Sequence, residues 1–173
     1  MSLPDKARRI RAVILDVDGV LTDGRIGYGP SAEEIKFFNV KDGLATRLLQ
    51  QAGLRVGLLS GRQSAANRRR AEELGLDFVY EGREDKLSAF RQVLADHGLR
   101  PDECLYVGDD LADIPVLRQA GVGVAVADAA PEVKEHADWT TSAPGGQGAV
   151  REAVVWLLRE QGKWDDTVRR YLG

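Results

Sequence analysis

No apolar run in the chain is longer than about six residues, as in Val122 to Ala127, against the roughly 20 that a bilayer-spanning helix needs. A transmembrane segment is therefore not expected, and the amino terminus lacks the apolar region of a secretory signal. Cysteine is almost absent. Cys104 stands alone, so no disulfide can form within the chain, and a lone thiol in an apolar stretch reads as a small core residue. Both features suit the cytoplasm. Charge of one sign is also missing: the net charge is -3, and neither end carries a long basic block, so no nucleic-acid or membrane surface is expected. The densest positive run, Arg68-Arg69-Arg70, lies in a helical pattern followed by Glu72 and Glu73, which reads mostly as a solvated face. Only two histidines occur, His97 and His136, both in helical stretches, and no His or Cys cluster has zinc spacing. There is no Walker loop and no G-x-S-x-G. The glycines at 121 and 123 precede an apolar strand rather than open a helix, so the dinucleotide fingerprint is absent too.

What is present is an ordinary globular composition, 43% hydrophobic and 29% charged over 173 residues, enough for one domain spanning 1–173 with a proper core. After a short polar lead, Ile10 to Val17 reads as a first strand. Glycines at 24, 27 and 29 and Pro30-Ser31 then mark a hairpin over about 24–40. Asp42 reads as the N-cap of a helix that stops at Gly53. Thereafter strand and helix alternate: strand 54–59, helix 64–74, strand 78–80, helix 85–97, strand 105–107, a helix to Ala120, and strand 122–127. Pro131 opens a short helix. An edge strand over 138–141, a Gly-rich loop over 143–148 and a final amphipathic helix over 149–159 complete the pattern. Such alternation predicts an α/β fold with a doubly wound, Rossmann-like parallel sheet and right-handed crossovers.

Polar groups recur where these strands end. The first strand runs into Asp16 and Asp18, the second into Ser60-Gly61-Arg62, and a later one into Gly108-Asp109-Asp110 with Asp113 one turn on; Lys86 opens a helix between them. Each has a plain explanation when taken singly: Asp-Gly and Ser-Gly as turns, Asp110 as an N-cap, Asp113 as a first-turn acid favoured by the helix dipole, Lys86 as solvated. Together they mark the ligand-binding edge of a parallel sheet. Asp16, Asp18 and Asp109 are hard oxygen ligands with no His or Cys among them, which points to Mg²⁺. A carboxylate beside Mg²⁺ can attack phosphorus while a Ser hydroxyl and a Lys ammonium hold the equatorial oxygens. The chemistry indicated is phosphoryl transfer.

Asp-Val-Asp-Gly-Val, Leu-Leu-Ser-Gly-Arg, Lys86 and Val-Gly-Asp-Asp-Leu-Ala-Asp resemble the four motifs of the haloacid dehalogenase superfamily of phosphatases. The stretches 16–24, 38–43, 126–129 and 145–152 resemble, more narrowly, its family of 3-deoxy-D-manno-octulosonate (KDO) 8-phosphate phosphatases, over about 10–163. Gln147 stands where many relatives carry a basic residue. The resemblance implies an aspartyl-phosphate on Asp16 and a general acid and base in Asp18. It implies phosphate binding by Ser60 and Lys86, and Mg²⁺ held by Asp16, the backbone carbonyl of Asp18 and Asp109, with Asp110 and Asp113 behind them. Substrate contacts would come from Asn39, Val40, Lys41, Asp42, Gly43, Arg47, Arg62 and Arg70, the arginines suiting a sugar acid because a guanidinium grips a carboxylate bidentately. A step toward lipopolysaccharide is implied.

Other readings stay open: a phosphatase for a nine-carbon, sialic-acid-type sugar acid 9-phosphate, a receiver-like phosphoacceptor, or an oligomerising module. Neither the interval between Asp18 and Ser60 nor that between Ser60 and Lys86 has room for a cap domain. With Ile26, Tyr28, Ile35 and Phe37 or Phe38 on the hairpin, a symmetric homo-oligomer is expected to shelter the site. The resemblance implies a homotetramer in which the Gly-rich segment 143–151 reaches a neighbouring subunit.

Overall fold

The computed structural model describes residues 1–173. Its centre is β1 (Ala12–Leu15), four apolar residues with no exposed position. A strand so uniformly apolar is stable only where both faces and both edges are covered. β1 is paired in parallel with β4 (Arg55–Leu59) on one side and β6 (Cys104–Gly108) on the other. β5 (Phe78–Tyr80), β7 (Val122–Ala125) and β8 (Trp139–Thr140) extend the sheet, all in parallel, to the order β5-β4-β1-β6-β7-β8. The strand order reverses beside β1, so the crevice outside the carboxyl ends of β1 and β6 is the expected ligand position. Asp16 and Asp109 are the residues that follow those two strands.

Helices cover the sheet. α1 (Leu3–Arg9), α2 (Val40–Gln51), α7 (Ala149–Glu160) and α8 (Trp164–Leu172) pack with one another, as do α4 (Lys86–His97), α5 (Ile114–Leu117) and α6 (Pro131–His136). α3 (Ala65–Leu74) lies against α2 and the hairpin strand β3 (Glu34–Ile35), which pairs antiparallel with β2 (Gly27–Tyr28). Helix stops follow the glycines: Gly75 and Gly98 are both left-handed at the ends of α3 and α4.

Four expectations are corrected. The N-cap of α2 is Asn39, whose side chain accepts from the Lys41 amide; Asp42 lies inside the helix and is fully buried. The polar lead contains α1, capped by Ser2. The segment after Asp110 is a 3₁₀ turn over Leu111–Asp113 followed by only four α-helical residues. Helix α7 is not the last, because α8 follows Gly162 with Trp164 packed on the core and the Arg159 guanidinium 5.8 Å from its ring centre. No helix is long and apolar enough to cross a membrane.

Candidate active site

Asp16 leaves β1 with its carboxylate almost wholly buried. An anion there needs a partner, and Lys86, the first residue of α4, supplies it: Nζ donates to Asp16 Oδ1 at 2.8 Å and to Asp113 Oδ1 at 2.6 Å. Asp113 is saturated by its neighbours. The Tyr106 hydroxyl donates to Oδ1 at 2.6 Å, and the amides of Asp109 and Asp110 donate to Oδ2 at 2.9 and 3.1 Å. Asp113 thus pins the loop after β6, while Asp109 and Asp16 keep oxygens free for a ligand. Asp110 caps the 3₁₀ turn, accepting from the Leu111 amide at 2.7 Å.

Carboxylate oxygens of Asp16, Asp109 and Asp113 lie within 4.8 Å of one another. Burial first, then mutual repulsion, pushes the pKa values of Asp16 and Asp109 upward, and Lys86 only partly offsets this. Burial would draw the Lys86 pKa down, but Asp16 and Asp113 outweigh it and push the ammonium up to about 12, so Lys86 stays charged. An all-oxygen seat with more anions than cations fits a hard divalent ion such as Mg²⁺.

The loop after β1 is shaped by glycine. Gly19 has φ +93°, and a Cβ there would lie 1.9 Å from Asp109 Oδ2, so only glycine lets β1's loop pass this close to β6's carboxylate. Gly145 and Gly146 close the loop from outside: a Cβ on Gly145 would lie 1.7 Å from the Gly19 carbonyl oxygen, and the Gly146 amide donates to the Val20 carbonyl at 2.9 Å. Within one chain, then, the Gly-rich segment packs on the loop that carries Asp18.

Ser60 follows β4, buried, with Oγ accepting from the Arg62 amide at 3.2 Å; a Cβ on Gly61 would stand 3.9 Å from Lys86 Cε. The turn after Ser60 therefore passes beside Lys86. Asp18 is held from the hairpin side, with Oδ1 paired to Lys36 Nζ at 2.7 Å. Arg62 pairs with Glu34. Arg70 lies over the Phe38 ring at 5.5 Å and against Gly43, donating to the Asn39 carbonyl at 3.4 Å, which brings it to the first turn of α2. Asn39 Nδ2 donates to the Gly146 carbonyl at 3.3 Å. Val40 and Lys41 are exposed. Asp42 offers its carboxylate not to the crevice but to α7, accepting from the amides of Gly148 at 3.2 Å and Arg151 at 2.8 Å. Arg47, one side of α2 further on, is exposed and donates to the Glu73 carbonyl at 3.2 Å, so one chain does not bring it to the carboxylates.

Three residues of this constellation escape a sequence reading: Tyr106, Lys36 and Asn67, the last of which accepts from Lys36 Nζ at 3.0 Å. The signal for two of them was a polar tip within an apolar run, Cys-Leu-Tyr-Val and Ile-Lys-Phe-Phe.

A family model of haloacid dehalogenase-like hydrolases matches residues 78–152. The chain is 45% identical over 161 residues to the 3-deoxy-D-manno-octulosonate 8-phosphate phosphatase KdsC of Escherichia coli strain K12, covering 93% of this chain and 86% of that protein. The Moraxella catarrhalis 3-deoxy-D-manno-octulosonate 8-phosphate phosphatase, solved with magnesium ion, phosphate ion and KDO, superposes with TM-score 0.94 at 37% identity, over 97% of each chain. The cobalt-bound Haemophilus influenzae deoxy-D-mannose-octulosonate 8-phosphate phosphatase gives TM-score 0.92 at 40% identity, over 97% of this chain and 99% of that one. The sheet order, the strand-end carboxylates and these similarities agree: the chain belongs to the haloacid dehalogenase-like hydrolases, in the company of the KDO 8-phosphate phosphatases.

Proposed function

We propose that residues 1–173 act as one Mg²⁺-dependent phosphatase unit that hydrolyses KDO 8-phosphate to KDO and phosphate, in the cytoplasm, on the way to lipopolysaccharide. The observation that carries this reading is the buried Asp16 carboxylate held between Lys86 and the Asp109 side of an all-oxygen cation seat. Asp16 attacks phosphorus in line with the departing sugar oxygen, forming an aspartyl-phosphate. Lys86 and the Ser60 hydroxyl hold the equatorial oxygens as charge moves onto them. Asp18 gives the leaving oxygen its proton and then takes one from the water that frees Asp16. Mg²⁺, held by Asp16, the Asp18 carbonyl and Asp109, would neutralise phosphoryl charge. Asn39 to Gly43, Arg47, Arg62 and Arg70 would receive the sugar acid, with Asp42 contributing through its backbone because its carboxylate is engaged with α7.

A homotetramer completes the proposal. Tyr28, Phe37 and Val40 are each more than 60% exposed and Ile35 is also outward, an apolar surface on and beside the hairpin that association would cover. Turnover of a panel of phosphorylated sugar acids and neutral hexose phosphates with Mg²⁺ tests the substrate. A guanidinium-carboxylate pair contributes about 1.5–3 kcal/mol, so kcat/KM for KDO 8-phosphate should exceed that for glucose 6-phosphate by roughly tenfold or more. Preference for the neutral ester would overturn the assignment.

A further inference from the structure

Lys36 is the residue whose environment the reaction scheme leaves unexplained. It follows β3 on the hairpin, yet its side chain is 0% exposed. Its ammonium stands 2.7 Å from Asp18 Oδ1, 3.0 Å from Asn67 Oδ1 and 3.8 Å from Glu34 Oε2. These acceptors come from three elements: the loop after β1, helix α3 and the hairpin itself. Glu34 in turn holds Arg62. The chain of charges Asp18, Lys36, Glu34, Arg62 is balanced, two anions against two cations. A hairpin merely in need of an anchor would find an apolar side chain cheaper, since a buried ammonium is tolerated only when closely paired. Asn67 adds to the case: it is fully buried, its carbonyl oxygen faces Lys36, and its Nδ2 finds no partner. A buried amide is there for the one bond it makes.

We propose that Lys36 is a positioning residue that fixes the Asp18 carboxylate, through a clamp completed by Asn67, at the orientation from which it protonates the leaving oxygen. Resting on the phosphatase reading above, this adds a role for the hairpin within its own subunit. As the P–O bond breaks, its electron pair passes to the leaving oxygen, and a proton that Asp18 has taken up from solvent on the oxygen Lys36 does not engage must arrive there. An alkoxide leaving group needs that proton; p-nitrophenolate, a far weaker base, departs without it. Loss of Asp18 orientation therefore costs a sugar phosphate much and an activated aryl phosphate little.

The experiment compares kcat/KM, which reports the steps up to release of the alcohol, for wild type and Lys36→Met on p-nitrophenyl phosphate, phenyl phosphate and KDO 8-phosphate. Positioning by Lys36 predicts a fall of roughly ten- to a hundredfold on the sugar ester, the scale of partial loss of general acid catalysis. It predicts a smaller fall on phenyl phosphate and one below about threefold on p-nitrophenyl phosphate. Equal falls on all three esters, or none, would overturn the inference while leaving the phosphatase reading standing. A wild-type protein inactive on every ester would remove both. Should Lys36→Met not fold, Asn67→Leu carries the same comparison: the same ordering of losses is expected, and uniform losses overturn the proposal.

Discussion

At the scale of single residues, the site is a concentration of buried negative charge, and its electrostatics should be measurable. Burial and neighbouring carboxylates push Asp109 up to about 8 and Asp16 to about 6 from ordinary values of 3.8. In the unfolded chain both acids lose their protons near pH 4, whereas the fold retains them, so the unfolded state binds fewer protons as pH rises and stability falls through roughly pH 4–8. Carboxylates held low by arginines elsewhere, such as Glu34 beside Arg62, are already ionised and contribute no opposing slope near neutrality. Calorimetry with a chelator should accordingly show Tm dropping by a few degrees between pH 5.5 and 8.5. Saturating Mg²⁺, which binds the ionised acids, should abolish that drop; a chelated protein equally stable at both values would contradict the pairing described. Gly19 gives a second outcome at this scale. Gly19→Ala must strain a φ of +93° and displace Asp109 from 1.9 Å, so the Mg²⁺ concentration for half-maximal activity should rise at least tenfold, about 1.4 kcal/mol of metal affinity; a metal titration reads this directly. Asp16, Ser60 and Asp109 were legible in the chain because each sits where an apolar run stops, and Lys86 because it opens a helix between them. Tyr106, Lys36 and Asn67 were not: Tyr106 reads as a core aromatic, and the meaning of Lys36 and Asn67 lies in each other, thirty-one residues apart.

Among the elements, α2 and α7 are joined by one carboxylate. Helix α7 begins at Gly148, which has no side chain to cap it, and Asp42 from the interior of α2 accepts from the amides of Gly148 and Arg151 instead. An anion at a helix N-terminus is favoured by the dipole. Asp42→Ala would leave two partly buried amides unpaired, at about 1–3 kcal/mol each, and urea unfolding should show a loss of about 2–4 kcal/mol. Asp42→Asn, which keeps one acceptor, should lose less. The same contact explains why a sequence reading set Asp42 at the cap of its own helix: Asp is a good N-cap residue, and only the fold reveals that it caps a helix more than a hundred residues later. Helices α1 and α8 were missed for a related reason. Neither has a buried stripe to betray it, with one buried residue in α1 and none in α8, whereas every strand of the sheet and the helices ended by Gly75 and Gly98 could be read from apolar runs and their stops.

On the scale of the whole molecule, a parallel sheet collects all its strand-end loops at one edge, and that edge has no cap domain above it. Tyr28 and Phe37 stand out from it, 67% and 77% exposed. If subunits of a tetramer cover one another there, the double variant Tyr28→Ser, Phe37→Ser should sediment as smaller species with unchanged far-ultraviolet circular dichroism. A wild-type monomer at micromolar concentration would refute the assembly. The fold class was visible in the alternation of strands and helices, while the route of the Gly-rich segment was not, because glycine permits close approach to any backbone and names none. Its route has a consequence in time. The contact between Asn39 and Gly146 spans 107 residues of chain, and the loop carrying Asp18 is closed by Gly145 and Gly146. Such distant closures pay their loop entropy before they are rewarded. A nascent chain can pair β1 with β4 early, but it cannot close its catalytic loop until Gly146 has left the ribosome, so the reactive centre is born well after the strand that carries it.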